Sequence, residues 1–122
     1  MFKIFTALGS INALIAVMLG AFGAHALKNR LSSEMLEIFQ TGVQYHFYHA
    51  LGLIAVGIIA YHLPESVLLK WAGWVMLAGI IIFSGSLYIL STTGITWLGA
   101  ITPIGGTAFI AAWILLTLAV IK

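Results

Sequence analysis

Four runs of this chain are each long and apolar enough to cross a bilayer, and no other feature narrows the fold as much. They are Ile4–Leu27, Val43–Leu63, Trp71–Thr92 and Leu98–Ile121. A hydrocarbon core needs roughly 20 such residues per helix. In lipid every backbone N–H and C=O must be bonded within the protein, so each run is predicted to be a helix. The composition agrees: of 122 residues, 62% are hydrophobic and 7% charged, with a mean hydropathy of +1.15. A soluble domain carries about 25% charged residues, and this chain has too few to cover a water-facing surface. The expected fold class is all-α: one integral membrane domain over 1–122, a bundle of four transmembrane helices with a short interfacial helix before the second. The lipid bilayer is the first expected partner.

The opening run ends in "GAHA", which resembles a signal-peptide cleavage site. A signal peptide has an apolar region of about 7–15 residues, and the uncharged run from Ile4 to Leu27 is far longer. It is expected to be a retained span.

Several chemistries are excluded at this stage. The chain has no cysteine, which removes disulfides, thiolate nucleophiles, iron–sulfur clusters and Cys-based zinc sites. The net charge of +2 is spread along the chain without a basic cluster, so nucleic acid is not an expected partner. The acids Glu34, Glu37 and Glu65 all fall in connections between spans. That leaves no carboxylate in the membrane for proton coupling. No nucleophile–base pair is legible either, so the chain is not expected to be an enzyme and no cofactor is expected.

The connection "KNRLSSEMLE" carries helix signals of its own. Ser33 is a plausible N-cap, with Glu34 and Glu37 in the first turn, where the helix dipole favours negative charge. At about 100° per residue, Glu34, Glu37, Thr41, Gln44 and Tyr48 fall within about 80° of one another, opposite Met35, Phe39 and Gly42. Thr102 and Pro103 offer an N-cap and first helical residue for the fourth span. The alternative is a helix starting near Leu98 and kinked at Pro103, with Gly105 and Gly106 letting a neighbouring backbone approach. On the first helix Ala16, Gly20 and Ala24 recur every four residues, the small-residue spacing that lets membrane helices pack closely. With four spans, Lys3, Lys70 and Lys122 share one side and Lys28 and Arg30 the other, favouring cytoplasmic termini under the positive-inside rule.

The polar residues near the membrane are Asn12, His25, Gln44, Tyr45, His46, Tyr48, His49, Ser84 and Tyr88, and most lie in "QYHFYHA". Three readings compete. His46 and His49, about 60° apart around the helix, could share a metal or haem with His25 if the ends of the first two helices meet. They could instead relay a proton or a ligand. The plainest reading places Tyr45, His46, Tyr48 and His49 at headgroup level, or between helices, as hydrogen-bonding anchors. Ser84, Tyr88 and Ser91 share one face of the third span and read as interhelical glue.

Taken together, "GAFGAHAL", "YHFYHAL", "FSGSLY" and "ITPIGG" resemble a family of small bacterial membrane proteins, domain of unknown function 423, similar to the animal transmembrane protein 256. The resemblance covers essentially the whole chain. It implies a multi-pass α-helical protein of the bacterial plasma membrane and brings no reaction, substrate or site residue with it. The function expected is that of a non-enzymatic membrane-organising or partner-binding protein, acting as a homo-oligomer or against other membrane proteins. A minimal transporter with a path through His25, His49, Gln44 and the Ser84–Tyr88 face is the alternative, and a His-ligated metal or haem protein the second.

Overall fold

A computed structural model describes residues 1–122. Four helices are long and apolar enough to cross a membrane. They are α1 (Phe2–Leu27), α2 (Ser33–His62), α3 (Val67–Thr93) and α4 (Thr102–Ile121), with a 3-10 turn over Thr96–Ala100 leading into the last. α1 is the least buried of the four within the protein, and α2 and α3 are the most enclosed. The fold class is the expected all-α bundle.

Close helix contact requires small residues where the backbones meet. α1 runs antiparallel to α2, with Phe2 beside Tyr61, Gly9 beside Ile54 and Gly20 beside Val43. At Gly9 a Cβ would come within 2.7 Å of the Ala50 carbonyl oxygen. At Gly57 it would strike the backbone nitrogen and hydroxyl of Thr6. α3 and α4 pair in the same manner, with the Phe109 ring over Gly79 and Gly105 against the Phe83 backbone. The core between them is built from Phe5, Leu53, Val56, Leu69, Met76 and Phe109. Since lipid is as apolar as leucine, this contact area works through packing rather than water exclusion.

Several expectations change in detail. The N-cap of α2 is Ser32, not Ser33: its extended backbone lets the hydroxyl accept the Met35 N–H at 3.1 Å, and Ser33 is the first helical residue. The short helix expected before the second span runs on into it without a break in the hydrogen-bond ladder, so that Ser33–His62 is one helix whose amphipathic start is the interfacial part. Its facing is as the periodicity predicts: Glu34, Glu37, Gln44 and Tyr48 are exposed, and Phe39 and Gly42 buried. Thr102 is not a cap. Its hydroxyl lies 2.6 Å from that of Ser86 across to α3, and Ile101 precedes the helix without a side-chain cap. Pro103 sits in the first turn, where a missing N–H costs nothing, so the chain turns before α4 instead of kinking within it. Gly105 is closely approached, whereas Gly106 is only in ordinary contact with the Phe83 ring.

The small-residue repeat is also interrupted. A wide π turn over Leu19–Gly23 adds a residue to the helical cycle. Ala16 is buried and Gly20 closely approaches Val43 of α2, as the spacing expects, but beyond the π turn it is Gly23, against Phe39, and not the half-buried Ala24 that continues the contact. A second π turn occupies Ile80–Ser84 in α3. Both meet α2 at one level, Gly20 against Val43 and Ser84 against the Gly42 carbonyl.

Candidate functional site: a histidine network between helices

α2 delivers two buried histidines on neighbouring faces, and each is held by different helices. His46 is 4% exposed and bridges α1 and α3. Its Nδ1 lies 2.8 Å from the Tyr88 hydroxyl and its Nε2 2.9 Å from Asn12 Oδ1. Asn12 in turn donates from Nδ2 to the Leu8 carbonyl at 2.8 Å. That last bond fixes the amide, because a flipped Asn12 would set oxygen against oxygen. Its Oδ1 therefore accepts, Nε2 of His46 carries the proton, and Nδ1 accepts from Tyr88. Both nitrogens of the imidazole are used.

His49 has the other tautomer. Its Nδ1 donates to the Tyr45 carbonyl at 2.7 Å, and its Nε2 accepts from Trp113 Nε1 at 3.1 Å. The ring stacks on Phe109 with centroids 3.5 Å apart and planes 7° from parallel. His49 thus fastens α2 to α4. Phe109 and Trp113 stand near the middle of α4, which at about 1.5 Å per residue is roughly 30 Å long, the thickness of the hydrocarbon core. So the histidines lie within the bundle and not at headgroup level, and the interhelical branch of the anchoring reading describes them.

The hydroxyls follow the same logic. Ser84 donates to the Gly42 carbonyl at 2.7 Å, bringing α3 onto α2. Ser86 and Thr102 share a hydrogen bond at 2.6 Å between α3 and α4, in which either hydroxyl can donate, with Phe83 O at 2.8 Å and Leu98 O at 3.4 Å as the backbone acceptors beside them. Ser91 bonds within its own helix, to Tyr88 O.

His25 does not join this network. It is exposed beyond the π turn of α1, and no group of three His or carboxylate side chains is placed to hold a metal. Gln44 also departs, since it lies outside on α2 and donates to the Tyr48 hydroxyl. The path drawn through His25, His49, Gln44 and Ser84–Tyr88 therefore does not form. Tyr45 and Tyr48 instead wall an open groove of about 650 Å³ with Phe83, Pro103, Phe109 and Trp113. Sequence reasoning missed Trp113 and Phe109. An indole in mid-span must find an acceptor for its N–H, and that signal was available.

Comparison with known proteins supplies the family. The model of "Protein of unknown function (DUF423)" matches residues 19–106. The chain is 56% identical over 120 residues to the UPF0382 membrane protein YwdK of Bacillus subtilis (strain 168), covering 98% of each. It is 48% identical over 120 residues to the UPF0382 membrane protein SSP2132 of Staphylococcus saprophyticus, again covering 98% of each. No solved structure matches the chain. A match across most of the sequence, with relatives of equal length that are named membrane proteins, assigns this four-span chain to the DUF423 family.

Proposed function

We propose that the protein is a non-catalytic membrane component that works through its outer surface, as a homo-oligomer or against partner membrane proteins. The observation that supports this is how the interior histidines and their hydroxyl partners are bonded; of the buried side-chain polar atoms Thr6 Oγ1, at the α1–α2 contact, is the one without a partner. Both nitrogens of His46 and of His49 are bonded, and the hydroxyls of Ser84 and Tyr88 are committed to α2. The protons of these groups, and the acceptor nitrogen of each imidazole, are spent on holding the four helices together. The lipid-facing surface is where the chain retains bonding capacity. Orientation with both termini in the cytoplasm belongs to the same reading, on the lysine distribution given above.

Native mass spectrometry from mild detergent tests it. A discrete oligomer, or a stoichiometric protein partner retained from the native membrane, is expected. A strict monomer whose only added mass is a metal, a haem or a defined small molecule would overturn it.

A further inference from the structure

α2 packs along α1 and α3, meets α4 through the side chains around His49 and Gly52, and leaves its remaining side open. Along that side Gln44, Tyr48, Leu51 and Ile58 are exposed and Ala55 is partly so, spaced by alternating fours and threes over four turns. Grooves run along both edges of the stripe. One, of about 380 Å³, lies between Ala16, Gly20 and Val43; the other is the 650 Å³ groove already described, and Tyr48 borders both.

Gln44 makes this face unusual. It lies about 10 Å along α2 from Glu37, the last charged residue before the span. Instead of reaching back toward the headgroups, its Nε2 points down the helix to the Tyr48 hydroxyl. That single bond leaves the carboxamide oxygen, one N–H and the Tyr48 O–H without partners. In hydrocarbon each such group is costly, and an acyl chain offers neither donor nor acceptor.

We propose that this face is a homodimer seam, in which two copies meet α2 against α2 about a two-fold axis along the membrane normal. The proposal rests on the oligomeric reading above and names the surface. A carboxamide is self-complementary, so across a two-fold axis each Gln44 N–H meets the oxygen of its copy at the same depth. The alternating spacing is that of a helix seam, and one polar residue within such a seam fixes its register. The flanking grooves leave room for the exposed side chains of the second copy.

The absence of native cysteines allows a direct test. Single variants Leu51→Cys, on the seam, and Ile81→Cys, on an exposed face of α3, are oxidised in lipid vesicles. Disulfide-linked dimer is expected for Leu51→Cys and not for Ile81→Cys. Adding Gln44→Leu should weaken association about sevenfold, the scale of two interhelical hydrogen bonds in a membrane. Circular dichroism shows whether each variant keeps its helices. An oligomer that links no better at Leu51 than at Ile81, or that ignores Gln44→Leu, overturns the seam and leaves the oligomeric reading standing. A chain that is monomeric by native mass spectrometry and does not link at either site overturns both.

Discussion

The Tyr88 hydroxyl stands 2.8 Å from His46 Nδ1, 42 positions away in the chain, and this contact is half of a three-helix tie whose other half is Asn12. Interhelical hydrogen bonds of this type contribute about 0.6 kcal/mol on average and up to about 1.7. Tyr88→Phe should therefore lower stability by about 1 kcal/mol in reversible detergent unfolding. Asn12→Leu should cost a similar amount, and the double variant should lose less than the sum because both act through one imidazole. Strict additivity would show that His46 does not couple them.

With Tyr88 donating to His46 and Trp113 donating to His49, two residues of the same helix carry opposite tautomers. Nitrogen NMR of histidine-labelled protein is expected to find the proton on Nε2 of His46 and on Nδ1 of His49. Trp113→Phe should shift the His49 signals and leave those of His46 in place. The same tautomer at both positions would contradict the assigned network.

Glycines divide into two groups with effects of opposite sign. Gly57→Ala drives a methyl into Thr6 and should destabilise the α1–α2 contact by about 1–3 kcal/mol, the usual cost of overpacking. Gly85 has helical dihedrals and nothing within 4 Å of where a Cβ would stand. Gly85→Ala should stabilise the protein by about 0.5–1 kcal/mol by reducing the freedom of the unfolded chain. Equal effects at the two sites would refute this account of the helix contact.

An even number of spans places Ser33 and Lys122 on opposite sides of the membrane. Maleimide labelling of intact cells should modify Ser33→Cys and spare Lys122→Cys until the cells are opened, if the side rich in lysine faces the cytoplasm. The reverse pattern would invert the assignment.

Much of this architecture could be read in advance because lipid leaves few options. Span number followed from run length, and the facing of the first turns of α2 followed from the separation of Glu34 and Glu37 from Phe39. Of the hydroxyls read on one face of α3, Ser84 and Tyr88 reach α2 and Ser91 bonds within its own helix. The partners were not legible. Trp113 reaches His49 across 64 positions, and no local pattern encodes that distance. The headgroup-level placement of the histidines failed because hydropathy locates a span only to within a turn or two. The stripe of Ala16, Gly20 and Ala24 was right for its first two members, and its third moved to Gly23 because a constant period was assumed where the helix contains a π turn.

The wide turn at Ile80–Ser84 also bears on how this chain tolerates changes of length. Removing one residue there would give a continuous α-helix with regular bonding throughout. Because the wide turn is what absorbs the extra residue, Gly85–Thr93 would keep its facing, with Tyr88 toward His46 and Ser86 toward Thr102. A residue added to or taken from the regular turns of α3 would instead rotate everything beyond it by about 100° and turn those side chains away. The wide turn is thus the place in α3 where a change of one residue leaves the neighbours matched, and the regular turns are where residue count is constrained as tightly as residue identity.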